Sequence, residues 1–208
     1  MLRRRALAAL LCAGCCAAAN PAVVGAAEAG AATEAAPVRL IPAQSTIGFV
    51  SHEMGVPVHG SFGRFSAEVH IDAAHPGDSR FAVAVDLASV QLPTDDGTTE
   101  AAKPDWLDTA QHPVARFTST AVRAEGNGRY AIDGRLAIKG AVRTVTVPVT
   151  LTQTGSGPDR VTMASGDLTI RRLDYGIGIG DWADTSVVAD PVEIDFRLAL
   201  KGVAAVRP

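Results

Sequence analysis

The residues that could do chemistry in this 208-residue chain are five histidines, three cysteines, and the carboxylates and glycines of residues 174–184. A zinc site needs His or Cys ligands at a short spacing on one strand or helix face. The histidines do not have that spacing: they are His52, His59, His70, His75 and His112. We therefore expect no metal site.

Residues 174–184 also lack the pattern of a catalytic or cofactor site. The run GIGIG at 176–180 has glycines like a dinucleotide fingerprint, but no βαβ unit surrounds it and no helix follows it. Asp174, Asp181 and Asp184 lack the spacing and the central glycine of a calcium loop. No Gly-x-Ser-x-Gly elbow is present. The sequence predicts no enzyme and no catalytic residue, and we interpret the glycine run as a rim where a ligand approaches the backbone closely.

Residues 1–19 have the pattern of a secretory signal peptide. An arginine triplet at residues 3–5 precedes a short apolar run, and small residues ending at Ala19 follow it. The apolar run is too short and too rich in alanine for a permanent membrane helix. We expect cleavage near Ala19 or closer to Ala26, and export to the periplasm.

All three cysteines lie inside this segment, so the mature domain has no thiol for a disulfide, a metal or a nucleophile. Ala13-Gly14-Cys15 resembles the end of a bacterial lipoprotein signal, although Cys12 stands where such signals usually have Leu. A lipid anchor through Cys15 is therefore a secondary alternative to a free domain.

Composition sets the domain boundaries. Residues 20–37 are rich in Ala and Gly, have no aromatic residue and no period, and predict a disordered tether. Residues 38–201 have the length of one domain that can bury a core, and 202–208 form a tail. The formal net charge of -3 and the lack of a Lys/Arg cluster beyond the signal argue against a nucleic-acid partner.

Apolar and polar residues alternate through most of this domain. Near its end, Val192, Ile194 and Phe196 alternate with Glu193 and Asp195. The same pattern covers residues 81–88, 130–139, 144–151 and 192–201. Strands with one wet and one dry face are typical of antiparallel sheets. Turn residues separate the strands at 95–97, 126–128, 139–140 and 155–158.

The stretch 104–117 is the one break in this pattern. Pro104 suits the first turn of a helix, Asp105 and Asp108 favour the positive end of a helix dipole, and Pro113 would end it. We therefore expect one short helix at residues 105–109. It would dock by Trp106 and Leu107, either as a lid over the mouth of a barrel or as a connecting turn with one Trp packed on the core.

The strands predict an all-β fold, an antiparallel up-and-down barrel of about eight strands. The alternation shifts by one residue beside Gly63 and Gly166, as at β-bulges that let a sheet curl. A two-sheet sandwich fits the same pattern. The inward residues are mostly Val, Ile, Leu and Ala, which would leave a long apolar cavity in a barrel, whereas a sandwich would close on itself.

Several segments resemble the YceI-like family in order and spacing. They are STIGFVSH at 45–52, VHGSFGRF at 58–65, DWLD at 105–108, HP at 112–113, ARF at 115–117, residues 132–140, and RLDYG at 172–176. The resemblance covers residues 38–200. It implies a lipocalin-like barrel of an exported bacterial protein that encloses a polyisoprenoid, such as an isoprenoid quinone or an isoprenyl phosphate.

Two segments qualify this resemblance. Residues 99–103, TEAAK, depart from the Arg-Asp-x-His-Leu segment of many members. Residues 176–182 are similar to a variant of the family often found alongside membrane b-type cytochromes. The sequence thus leaves open a second role, in which the barrel docks a b-type cytochrome and delivers quinone to it. Homodimerisation also stays open, and a lipid-acting enzyme is a third alternative.

The leading hypothesis is an exported protein that carries or stores a long isoprenoid lipid by burial, without a covalent cofactor. The expected cavity residues are Phe49, Phe62, Phe65, Trp106, Leu107, Phe117, Tyr175, Ile177 and Trp182. The expected contacts of a polar head group are His52, Arg116 and Arg172. For each aromatic residue the alternative is ordinary core packing.

Overall fold

A computed structural model describes residues 38–72 and 75–205 of the chain. The predicted signal peptide at 1–19, its cleavage near residue 19 or 26, the Cys15 anchor and the tether at 20–37 lie outside the described residues, as does the end of the tail at 206–208. Those expectations stay predictions.

The described residues form eleven strands and one α-helix, joined by turns and short 3₁₀ segments. They are β1 (Arg39–Leu40), β2 (Thr46–Glu53), β3 (Val56–Phe62), β4 (Phe65–His70), β5 (Arg80–Asp86), β6 (Val90–Gln91), α1 (Asp95–Ala101), β7 (Val114–Gly126), β8 (Arg129–Ile138), β9 (Ala141–Thr154), β10 (Val161–Arg171) and β11 (Pro191–Lys201). Within the same residues, no helix combines the length and hydropathy that a bilayer-spanning segment requires.

The strands build one antiparallel sheet in the order β4-β5-β7-β8-β9-β10-β11-β2-β3-β6, with β1 beside β11. β3 runs into β4, and β5 runs into β6. Hydrogen bonds from Gly63 N to Ser89 O and from Asp86 N to Arg64 O, each 3.0 Å, join the two breaks. The two ends of the order therefore meet, and the sheet curls into a barrel. This confirms the all-β, antiparallel up-and-down prediction, and one continuous sheet excludes the sandwich.

The predicted count of about eight strands was wrong, because two long strands are divided. A break at residues 63–64 separates β3 from β4, and the 3₁₀ turn Leu87–Ser89 separates β5 from β6. The short strand β1 adds one more pairing, with β11.

Only one of the two predicted bulges coincides with an irregularity. Gly63 marks the break between β3 and β4, but Gly166 pairs in register with Phe196. The shift expected there arose from assigning Val161 and Met163 to the inner face; it is Thr162 and Ala164 that are buried. The register shifts of the β7–β8 ladder fall instead between Ser119 and Ala121 and between Ala124 and Gly126.

The predicted helix at residues 105–109 was also wrong, because that segment is a series of turns. Asp108 adopts a left-handed φ of 49°, which a helix cannot continue through. Hydrogen bonds from Trp106 N to Lys103 O and from Leu107 N to Ala101 O, both 3.0 Å, close these turns.

The helix α1 lies instead where residues 95–97 predicted a turn. Thr94 caps it, since its Oγ1 accepts from Gly97 N–H at 3.1 Å. Asp95 and Asp96 then lie in the first turn, where the helix dipole favours carboxylates. The sequence Asp-Asp-Gly was therefore the start of the helix.

The inner faces of the strands meet in two clusters of buried apolar residues. The deep cluster is Ile47, Val122, Ile132, Val147, Val149, Leu151, Ala164, Leu198, Leu200 and Val203. The mouth cluster is Leu87, Ala115, Leu136, Ile138, Ile170 and Tyr175. Burying each large aliphatic side chain contributes about 1.5–3 kcal/mol, so these clusters hold the curled sheet together.

Candidate ligand-binding cavity

The barrel encloses a cavity of about 560 Å³ that extends from the deep cluster past the mouth cluster. This volume lies in the range of small-molecule and lipid sites. Its wall is made by alternate residues of successive strands, as in Ile47, Phe49 and Ser51 of β2. Most of the lining is aliphatic: it includes Val58, Val69, Val83, Val85, Leu136, Val147, Val149, Leu168, Ile170, Val192, Ile194, Leu198 and Leu200. Such a wall favours a long apolar ligand.

The charged residues of the lining belong to one end of the barrel. They are Glu53, Asp96, Glu100, Arg116 and Arg172. Because the strands run up and down, the connections β2–β3, β6–β7, β8–β9 and β10–β11 share this end, which we call the open end. The connections β4–β5, β7–β8 and β9–β10 form the opposite, closed end. A ligand's polar group would therefore lie at the open end.

Hydrogen bonds tie the loops of the open end together. Lys139 Nζ donates to Pro104 O at 2.5 Å and to Gly176 O at 2.7 Å, linking three connections. Burial lowers the pKa of Lys139 from its ordinary value, and the nearby Asp108 and Asp105 act in the opposite direction. On the other side, Met54 N donates to Val187 O at 2.7 Å.

Two tryptophans from different loops line the cavity at this end. The rings of Trp106 and Trp182 lie 5.4 Å apart at an interplanar angle of 53°. Ile179 N donates to Asp105 O at 3.0 Å. This bond joins the glycine-rich loop, residues 176–182, to the segment between α1 and β7. The segment 104–117, expected to be a lid or a connecting turn, therefore contacts the loop that contains the glycine run 176–180, which the sequence analysis interpreted as a rim.

Arg172 organises the glycine-rich loop from inside. Its side chain is 1% exposed, and all five of its N–H donors are bonded to backbone carbonyls. The acceptors are the oxygens of Ile177 (2.9 Å), Gly178 (2.5 Å), Trp182 (2.7 Å), Val188 (2.8 Å) and Ala189 (3.1 Å). Burial lowers the pKa of Arg172, while the charge of Asp190 acts to raise it. The guanidinium has no donor left for a head group.

Asp190, the residue before β11, holds the other end of the β10–β11 loop. Its carboxylate accepts from Arg171 Nε at 2.7 Å and from Leu173 N at 3.1 Å. Burial acts to raise the pKa of Asp190, but these hydrogen bonds and the charges of Arg171 and Arg172 hold it below its ordinary value. Asp190 is therefore charged at neutral pH and fixes the start of the loop.

Comparison with known proteins agrees with this architecture. The family model described as YceI-like domain matches residues 39–200. The chain belongs to the YceI-like family. A UPF0312 protein of Pseudomonas fluorescens is 30% identical over 157 residues, covering 74% of this chain and 78% of the relative.

Solved structures show the same barrel. The crystal structure of Burkholderia cenocepacia BcnA has 38% sequence identity and a TM-score of 0.73, covering 77% of this chain and 98% of that one. A domain from Saccharophagus degradans, described as polyisoprenoid binding and implicated in plant cell wall breakdown, has 18% identity and a TM-score of 0.65. It covers 80% of this chain and 99% of its own, and at that identity it shows the fold alone.

The YceI-like barrel brings most of the predicted cavity residues together. Those that line the cavity are Phe49, Phe62, Trp106, Leu107, Phe117, Ile177 and Trp182. The lining omits Phe65 and Tyr175. Phe65 packs against the deep cluster, and Tyr175 is 3% exposed within the mouth cluster. Both therefore belong to the apolar packing around the cavity and not to its lining.

The three predicted head-group contacts lie in different environments. His52 is absent from the lining, because it alternates along β2 with the inward-facing Ser51 and Glu53. Arg116 is exposed between Ala115 and Phe117 and is part of the lining at the open end. Arg172 lies at the cavity, but its donors are occupied as described above.

The sequence interpretation missed two features. The first is the aliphatic wall itself. The alternation along strands such as β10 and β11 could have predicted it, once one residue of each strand was known to face inward. The second is a cluster of Asp72, His75 and Asp78 between β4 and β5, whose potential metal-ligating atoms lie within 4.8 Å of one another. This cluster is at the closed end, away from the lining.

Proposed function

We propose that this protein is an exported binding protein that holds a long isoprenoid lipid in the barrel for transport or storage. The observation that carries the proposal is the aliphatic cavity of about 560 Å³, with its charged residues at one end. The lipid tail would occupy the deep part, and the polar group would lie at the open end. The description of the Saccharophagus degradans domain as polyisoprenoid binding supports this ligand class.

Burial alone supplies enough affinity for such a ligand. At about 25 cal/mol per Å² of apolar surface, a few hundred Å² of buried tail contributes several kcal/mol before the losses from ordering. The aliphatic part of the wall brings no acid, base or nucleophile, and the carboxylates of the lining, Glu53, Asp96 and Glu100, lie at the open end, which favours binding over catalysis. The hypothesis that the protein delivers a quinone to a b-type cytochrome rests on the resemblance of residues 176–182 alone, and it stays a prediction.

The test is to load the delipidated mature protein with isoprenoid quinones and polyprenyl phosphates of increasing tail length. We expect the affinity to rise with each buried isoprene unit until the cavity is full and then to level off, and the lipids to be recovered unchanged. Mass spectrometry of an organic extract of natively expressed protein would identify the bound lipid. Affinity that is indifferent to tail length, or chemical turnover of the lipid, would contradict the proposal.

A further inference from the structure

Trp106 has an unusual indole nitrogen. Among the residues that the structure describes, Trp106 Nε1 is the single buried side-chain nitrogen or oxygen without a hydrogen-bond partner. Buried polar groups in folded proteins almost always have partners, because an unmet donor loses its hydration without compensation. Trp106 also lines the cavity. Nε1 itself has almost no accessible surface, so a ligand oxygen supplies the missing acceptor only if the ring shifts as the ligand enters.

The orientation of the ring is set by the glycine-rich loop. A methyl group added at Gly178 would lie 3.2 Å from Cζ3 of Trp106, so the benzo edge of the indole faces that loop. Gly178 also adopts a left-handed φ of 66°, a conformation that favours glycine. Because glycine has no side chain, the indole can approach the backbone closely. The Trp106 ring therefore packs closely on this loop, next to Trp182.

Most cationic groups of the open end are already engaged. Arg172 gives all five donors to backbone carbonyls, and Lys139 donates to Pro104 O and Gly176 O. Lys103 Nζ donates to Glu100 at 2.5 Å. These groups set the shape of the mouth. Arg116 also lines the cavity but is exposed, so the indole N–H of Trp106 is the buried donor that remains for a ligand.

The charge of Arg172 strengthens that donor. Its guanidinium carbon lies 6.0 Å from the centroid of the Trp106 ring. A cation over an aromatic face withdraws electron density from the ring, and its field also favours an oxygen with partial negative charge nearby.

We propose that Trp106 Nε1 donates a hydrogen bond to an oxygen acceptor of the ligand, such as a quinone carbonyl or a phosphate oxygen, while the barrel holds the isoprenoid tail. This inference rests on the proposed function and adds to it: Trp106 distinguishes a lipid with an oxygen-bearing end from a pure hydrocarbon. The barrel binds the isoprenoid tail, and the Trp106 N–H recognises the polar end.

The test pairs two ligands with two substitutions in the full mature chain. The ligands are a prenyl quinone and an isoprenoid hydrocarbon of the same length, and a prenyl phosphate separates the two sources of oxygen. Trp106→Phe removes the N–H and keeps an aromatic ring; Trp182→Phe is the same change in the neighbouring ring. We expect Trp106→Phe to weaken quinone binding about tenfold more than hydrocarbon binding. Trp182→Phe should weaken both ligands equally.

The wild-type protein gives an independent readout. In ¹⁵N-edited spectra, the indole N–H resonance of Trp106 should move downfield on adding the quinone or the phosphate, and should stay in place with the hydrocarbon. Equal losses for both ligands in Trp106→Phe, or identical shifts with both, would overturn the inference. Failure of wild-type protein to bind any of the ligands would instead contradict the proposed function, so the two failures are distinguishable.

Discussion

The two ends of the barrel differ in how completely their groups are satisfied. At the closed end, Leu200 is 1% exposed, and Gln153 Nε2 donates to Thr162 Oγ1 and to Ala204 O, each at 2.9 Å. At the open end several large hydrophobic side chains remain in contact with solvent. The most exposed ones in the described residues all flank its loops: they are Met54, Val56, Val114, Val142, Ile179 and Val187. Both ends therefore contribute to stability, but the open end also holds the charged and exposed groups that would meet a ligand.

Backbone conformation shows the same difference. Four described residues other than glycine have a positive φ, and three of them are at the open end: Met54 (49°), Asp108 (49°) and Lys139 (47°). Left-handed backbone costs about 1–3 kcal/mol for such residues and persists where surrounding contacts hold it. Met54 and Lys139 begin two-residue hairpin turns, which require this conformation, so Asp108 and the unmet N–H of Trp106 are the features specific to the open end.

The largest effect should come from replacing Arg172 with Met. The change leaves the five carbonyls at residues 177–189 without donors, so the free energy of unfolding should fall by about 3–5 kcal/mol and lipid binding should be lost. Chemical denaturation and lipid retention measure the two effects. Arg171→Met is the matched control: this exposed side chain pairs with Asp190, and its loss should cost about 1 kcal/mol or less. Equal effects of the two changes would show that Arg172 does not organise the loop.

At the closed end, Leu200→Ala should lower the free energy of unfolding by about 2–4 kcal/mol through loss of burial and creation of a cavity. Lipid bound per folded molecule should change little. Val187→Ala at the open end removes a side chain that is 39% exposed and should stay within about 0.5 kcal/mol of wild type. A strong loss of lipid in Leu200→Ala, with the fold intact, would remove the division of roles between the two ends.

A smaller effect should depend on pH. The pKa of Asp190 is below its ordinary value, so its charged form stabilises the fold above the unfolded-state pKa of about 3.9, and that contribution fades as the pH falls through its folded pKa. The difference in unfolding free energy between wild type and Asp190→Asn should therefore be constant above about pH 5 and shrink at lower pH. Denaturation series from neutral to acid pH measure it. If the difference in unfolding free energy stayed the same at acid pH, the charge of Asp190 would not contribute to stability.

The sequence predicted the wall of the barrel better than its mouth. Alternation along β11 places Val192, Ile194 and Phe196 on the inner face, because a period of two is a local property of a strand. The same rule applied to β2 would have placed His52 outside. The role of Arg172 could not be predicted, since its acceptors are backbone carbonyls whose positions exist only once β10, β11 and the loop between them have folded.

The smallest expected effect on stability is the most informative about the open end. Replacing a partly buried Trp with Phe usually destabilises a protein, because contacts are lost. At position 106 the same change also removes a buried donor without a partner, which offsets about 1–3 kcal/mol of that loss. We expect Trp106→Phe to stay within about 1 kcal/mol of wild type in the lipid-free protein and to be clearly less stable than wild type when quinone is bound. Thermal unfolding with and without quinone measures both states, with Trp182→Phe as control. If Trp106→Phe were as damaging without ligand as with it, the indole N–H would have a partner within the fold, and the open end would be as fully satisfied as the closed one.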